Sequence, residues 1–190
     1  MPGKLTIITP SYRVNNLKKI KESLNFDYID RWIIVYDGSK VTNQKFFTDN
    51  KISEFVYTGD GIDGNPQRNY ALSQITNDDT YIYFLDDDNI IHPNLYKLLD
   101  VVEPDTFYTF DQSNFFNQDY NALKNVMRGN NIQVGKIDTA MMLCHYSLVK
   151  GITWGNHAFG ADGLYIMECH ARNKKHVYIN QILAQYNVLR

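Results

Sequence analysis

The sequence predicts an α/β fold, with a central, mostly parallel or mixed β-sheet flanked by helices. Short runs such as Arg31-Trp-Ile-Ile-Val-Tyr36 and Thr80-Tyr-Ile-Tyr-Phe-Leu85 are β-rich and almost wholly apolar. Strands that are apolar throughout, with no polar alternate face, are strands covered on both sides. Between them lie stretches whose apolar residues recur at helical spacing, and this alternation is the pattern of a helix-covered sheet. At 190 residues and 22.1 kDa the chain can bury one sizeable core and is short for two. Hydrophobic residues at 44% and charged residues at 21% are ordinary globular composition. No repeat, low-complexity stretch or linker interrupts it, so one domain over residues 1–190 is expected.

In order, Lys4 to Thr9 reads as the first strand, stopping at Pro10-Ser11. Asn15 or Asn16 can cap a helix that carries Leu17, Ile20 and Leu24 on one face. Arg31–Tyr36 and Glu54–Thr58 follow as strands, and Asn65-Pro66 supplies a cap with proline at the first helical position. Thr80–Leu85 is the fourth strand and runs straight into Asp86, Asp87 and Asp88. Pro93 opens a helix with Leu95, Leu98, Leu99 and Val102 at helical spacing. Thr106–Phe110, Ala140–Cys144 and His176–Asn180 read as later strands, with a helix from about Asp162 to Arg172. The alternation loosens after Thr106, where the sheet is expected to become mixed.

Composition excludes several partners. A formal net charge of -2 and a pI near 6.2 argue against nucleic acid. The basic cluster Arg172-Asn173-Lys174-Lys175 suits a helix end. Cys144 and Cys169 have no metal-ligand spacing and read as buried free thiols. Met1-Pro-Gly-Lys leads directly into a strand, without a signal peptide, and no apolar run approaches the ~20 residues of a membrane span. These features predict a soluble, cytoplasmic protein with no transmembrane segment.

Ligands of such sheets bind beyond the carboxyl ends of the strands. The polar residues collect there: Thr9-Pro-Ser-Tyr-Arg13, Asp37-Gly-Ser39, Gly64-Asn65 and Asp86 to Asp88. Three adjacent carboxylates raise one another's pKa and serve no core. A hard divalent cation, Mn²⁺ or Mg²⁺, takes such oxygens and completes its shell with phosphate and water. On a strand, Asp86 and Asp88 point to one side and Asp87 to the other. A solvated, helix-capping loop before Pro93 is the plainer alternative.

Leu85-Asp-Asp-Asp-Asn-Ile-Ile-His-Pro93 resembles the DxD segment of GT-A (Rossmann-like) glycosyltransferases of the family-2 type. Ile7-Ile-Thr-Pro-Ser-Tyr-Arg13, Val35-Tyr-Asp-Gly-Ser39 and Gly64-Asn-Pro-Gln-Arg-Asn-Tyr-Ala71 are similar to that family's nucleotide-side segments. Lys136 to Met142 and Phe159-Gly-Ala-Asp162 resemble its acceptor-side segments. The resemblance spans about residues 4 to 170 and implies a nucleotide-sugar half over about 1–100 and an acceptor half over about 101–190. It further implies transfer of a hexosyl group from a UDP-sugar to a hydroxyl of a glycan or glycoprotein. Thr9, Ser11, Tyr12, Arg13, Asp37, Gly64, Asn65, Arg68, Asp86 and Asp87 would then bind the donor, Tyr12 covering the base and Asp37 accepting its ring N–H. Asp88, with Asp86, would hold the metal. Asp162 would be the general base, and Asp138, Trp154 and His157 would face the acceptor sugar. The short carboxyl end implies that part of the acceptor site lies in a longer multidomain chain.

Each role has a plain counterpart. Ser-Tyr-Arg and Asp-Gly-Ser can be ordinary turns, Arg68 a salt bridge, Asp138 and Asp162 helix caps, and His157 structural. Ala161 stands where many relatives carry a second acidic residue, so inversion and retention both stay open. Tyr83-Phe-Leu-Asp-Asp-Asp-Asn-Ile90 also resembles the motif of haloacid-dehalogenase-like phosphatases, with Asp86 as nucleophile, but those carry it on the first strand. A non-catalytic carbohydrate-binding module could use the 14 tyrosines, although such modules are commonly all-β. A nucleotidyltransferase would need a Gly-rich, basic loop after the first strand, and none is present.

Overall fold

The computed structural model describes residues 3–41, 45–61, 63–114, 125–156 and 159–190. Strands β1 (Leu5–Ser11), β2 (Ile29–Asp37), β3 (Ile52–Tyr57) and β4 (Tyr81–Phe84) pair in parallel, with β1 between β2 and β4. Beyond β4 the sheet turns mixed, as the loosened pattern after Thr106 predicts. β8 (Met142–His145) lies antiparallel between β4 and β6 (Phe107–Asn114). β9 (His176–Tyr186) then runs parallel to β6. Two short strands escape the sequence reading: β5 (Ile90–Ile91), which pairs with β9, and β7 (Val126–Met127), which pairs with β6. Two-residue strands carry too little periodicity to register. β9 runs six residues past the predicted Asn180.

Strand alternation sorts the core into two layers. Leu5, Ile7, Trp32, Ile34, Tyr83 and Leu85 face one side, against α1 (Leu17–Ser23) and α3 (Asn94–Leu98). Ile8, Ile33, Val35, Ile82 and Phe84 face the other, against α2 (Asn65–Ser73) and α4 (Ala161–Arg172). Cys144 and Cys169 are buried free thiols in that second layer. Asn173 ends α4, donating its side-chain amide to the Cys169 carbonyl at 2.6 Å.

Two predicted caps are corrected. Asn16 precedes α1 without a side-chain cap bond; its amide instead donates to the carbonyl of Asp87 at 2.8 Å. Asn65 is the first residue of α2, and Gly64 takes the cap position with φ +80°. Left-handed backbone there favours glycine, and a side chain would also press on Pro10 at 2.9 Å. Gly160, φ +77°, plays the same part before α4.

The chain runs the same way through β1, β2, β3, β4, β6 and β9. Their carboxyl ends therefore share one rim, and α2 and α4 start there.

Candidate active site

That rim encloses a cavity of about 590 Å³, an ordinary size for a small-molecule site. Its lining brings together Ser11, Tyr12, Arg13, Asp37, Gly64, Asn65, Arg68, Asp86, Asp87, Asp88 and Asp162. Residues up to 151 positions apart in sequence thus meet because parallel strands end on one edge.

The three aspartates take three different sets of partners. Asp87, 2% exposed, is the organiser of the loop after β1. Its carboxylate accepts the Ser11 hydroxyl at 3.2 Å, the backbone N–H groups of Tyr12 and Arg13 at 2.8 and 2.6 Å, and the Arg13 guanidinium at 2.7 Å. Asp86 accepts Arg68 Nη2 at 2.6 Å. Asp88 Oδ2 lies 3.3 Å from Arg13 Nη1 and 3.0 Å from Arg190 Nε. Burial and the charge of Asp86 push the Asp88 carboxyl up, and the two guanidiniums offset this only in part.

Arg68 is 4% exposed, and its second arm donates to the Asp63 carbonyl at 2.9 Å and to Asn65 Oδ1 at 3.2 Å. Burial works against its charge, but Asp86, Asp162 and Asp138 outweigh it and hold the guanidinium protonated. Arg68 thus makes a salt bridge, but a buried one, and it lines the cavity as well.

Two predicted site residues are corrected. Trp154, expected on the acceptor sugar, is 3% exposed and stacked on Tyr165, with ring centroids 4.2 Å apart and planes 8° apart. It lies 4.8 Å beneath the Arg68 guanidinium, so it supports a charge, and no face is left for a sugar. Thr9, expected on the nucleotide, is fully buried and accepts the Trp32 indole N–H at 2.9 Å. Strand parity puts it on the same face as Leu5 and Ile7. His157 lies outside the described residues.

Tyr12 is 45% exposed, with Lys40 Nζ and Arg13 Cζ each 4.2 Å from its ring centroid. Asp37 ends β2 and accepts the Ser39 N–H at 3.0 Å and its hydroxyl at 2.6 Å.

Asp162 sits in the first turn of α4, one residue past Ala161, and is not its cap. Thr139 donates to its Oδ1 at 2.5 Å. Burial pushes its carboxyl up, Arg68 opposes this, and Asp86 adds to it, for a net rise. Asp138 caps the short turn Thr139–Met141, accepting the Ala140 N–H at 3.2 Å. It does not line the cavity. Burial, then the charges of Asp162 and Asp86, push its carboxyl up to about 7.

That shift has a consequence for stability. From about pH 4 to 7 the folded state holds an Asp138 proton that the unfolded state releases, so stability falls as pH rises through this window. Asp138→Asn keeps the cap and removes the titration. The variant is expected to match the wild type near pH 4 and to exceed it by up to about 4 kcal/mol at pH 8, the full weight of that shift. Thermal melts across that range, in chelator-containing buffer, check it.

Tyr186 and Arg190 also line the cavity, and the sequence reading missed both. The available signal was the apolar run Ile182-Leu183-Ala184, which extends β9 to the same rim.

Six aspartates and four cationic side chains line the cavity, a formal excess of two negative charges. A divalent cation balances this. Among the described residues no three His, Cys, Asp or Glu side chains form a ready-made cation cage. Asp86 and Asp88 fit an ion whose remaining ligands come from phosphate and water.

No protein-family model matches the sequence, and no curated protein matches it. Solved structures do. TarS 1-349 from S. aureus superposes with a TM-score of 0.70 at 13% identity, over 97% of this chain and 60% of that one. The chain has the GT-A-like fold. TarS 1-349 has also been solved in complex with UDP-GlcNAc, and that structure superposes at 0.69. The mannosyltransferase PcManGT from Pyrobaculum calidifontis, in complex with GDP-Man and Mn²⁺, superposes at 0.62 with 11% identity, over 99% of this chain and 59% of that one. The chain thus spans about three-fifths of these two neighbours. A 4-diphosphocytidyl-2C-methyl-D-erythritol synthase superposes at 0.52 with 9% identity, covering 95% and 90% of the two chains. Among the described residues no helix is long and apolar enough to cross a membrane.

Proposed function

We propose that the chain is a metal-dependent glycosyltransferase that moves a hexosyl group from a UDP-sugar to a hydroxyl of a glycan or glycoprotein. The observation that carries the reading is one cavity lined by Asp86, Asp88 and Asp162 together. Asp88 and Asp86 would hold Mn²⁺ or Mg²⁺. The ion supplies neutralisation of the charge that develops on the departing diphosphate. Tyr12 would cover the base, Asp37 would accept the ring N–H of uracil, and Arg13 would face the phosphates. Asp87 holds the loop that carries Tyr12 and Arg13. Asp162 would take the proton of the attacking hydroxyl, which is the inverting course. The acceptor half would be completed by a longer chain.

The rivals fit less well. Phosphatases of that kind carry the nucleophile on the first strand of the core, whereas Asp86 follows β4. A carbohydrate-binding module would need exposed aromatic faces in the cavity, and among the described residues Tyr12 is the one large hydrophobic that is both exposed and in the lining. The cytidylyl-type neighbour superposes less closely than TarS.

Calorimetric titration of UDP and GDP, with and without Mn²⁺, tests the reading. Mn²⁺-dependent binding of UDP, weakened at least tenfold by Asp88→Ala, is expected. Folded protein that binds neither nucleotide under any condition would sink it.

A further inference from the structure

Asp88, the carboxylate assigned above to the metal, is engaged by two guanidiniums at once. Arg13 reaches Oδ2 at 3.3 Å and Arg190 at 3.0 Å. The two arginines differ in how firmly they are held. Arg13 is fixed at its backbone and side chain by Asp87. Arg190 follows β9 in a turn that is docked on the aspartate segment through its backbone. The Leu189 N–H donates to the Asp88 carbonyl at 2.9 Å, the Asn187 N–H to Asn89 Oδ1 at 2.8 Å, and Asn16 bridges to the Leu189 carbonyl at 3.4 Å. The turn is thus pinned against the floor of the site, while the Arg190 side chain, 55% exposed, reaches into the cavity from it.

Resting on the donor reading, we propose that Arg190 is a diphosphate-binding residue that is parked on Asp88 until the donor arrives. A guanidinium and a divalent cation compete for one carboxylate oxygen because like charges repel across a few ångströms. Once Asp88 turns to the cation, Arg190 loses its partner and stands in a cavity that now holds a diphosphate. Its planar fork of N–H donors suits two phosphate oxygens, and the pinned turn keeps it within reach. The exchange leaves every charge paired in both states: Arg190 with Asp88 before, Arg190 with phosphate after. It also makes cation and nucleotide binding mutually dependent, since each relieves a cost of the other.

The signature is two effects of opposite sign. Arg190→Ala is expected to bind Mn²⁺ alone at least as tightly as the wild type, because a competitor for Asp88 is gone. The same variant is expected to bind UDP, in saturating Mn²⁺, about tenfold more weakly, and uridine with unchanged affinity. Arg190→Lys, which keeps the charge and the stem, is expected to fall between. Calorimetry with MnCl₂, UDP and uridine reads all three, with melting curves to confirm the fold. A UDP affinity within twofold of the wild type in Arg190→Ala overturns the proposal and leaves the donor reading standing. A parallel loss of Mn²⁺, UDP and uridine, or a lowered melting temperature in both variants, makes Arg190 a structural tie and also overturns it. Wild-type protein that binds no UDP overturns both readings together.

Discussion

Asp162→Asn is expected to lower the rate of sugar transfer by about 10²–10⁴-fold, the span that a positioned general base supplies, with UDP affinity within twofold of the wild type. The asymmetry follows from the geometry. Thr139 holds one carboxylate oxygen at 2.5 Å, and among the described residues the other has no hydrogen-bond partner. The side chain is therefore oriented and has an oxygen to spare for an incoming hydroxyl. Asn keeps the shape and the Thr139 contact but cannot take a proton. Asp138, also raised, is a poorer candidate because it stands off the cavity. The pH profile adds a second readout. A base with a raised pKa is protonated and idle at low pH, so the rate should climb with pH through a region above the ordinary carboxylate range and then level. UDP release from a UDP-hexose, measured with acceptor and with water, follows both. An Asn variant with at least a tenth of the wild-type rate would move the base elsewhere.

Much of this site was legible in the sequence because a parallel sheet gathers its strand ends. Ser11, Asp37 and Asp86 lie together for no reason beyond the carboxyl rim, and the polar punctuation after each apolar run marked that rim. What the pattern could not give is which way a side chain turns once the strand has ended. Asp86, Asp87 and Asp88 look equivalent as text, yet one organises a loop, one holds a buried arginine and one faces two guanidiniums. Trp154 shows the same limit. An aromatic beside Gly155 and Gly160 suits a sugar face, and only packing reveals Tyr165 against one face and Phe84 at its edge. Tyr186 and Arg190 were lost because Asn180 and Gln181 look like the end of a strand, whereas pairing with β6 carries the chain on to the rim.

The buried pair Arg68–Asp86 carries the largest expected loss of stability. Arg68→Ala removes a guanidinium that is 4% exposed and bonded to Asp86, the Asp63 carbonyl and Asn65. Breaking one side of such a pair costs about 3–5 kcal/mol, and the Asp86 side chain, 27% exposed, recovers enough water to favour the lower end. Arg68→Met fills part of the volume, and adding Asp86→Asn removes the stranded charge. The double variant is therefore expected to recover most of what Arg68→Met loses, because replacing both ions avoids the desolvation that one alone still bears. Chemical denaturation of the single and double variants measures this directly. The electrostatic consequence is separate. Arg68 is the cation that opposes the rise of both Asp138 and Asp162, so its loss should push both carboxyls higher and shift the pH–rate curve upward. The curve is read on folded Arg68→Met alone, because Asp86→Asn would also remove a charge that raises both carboxyls, and a curve that has moved would show that Arg68 serves the site through its charge. An unmoved curve would leave it a structural tie between α2 and the end of β4.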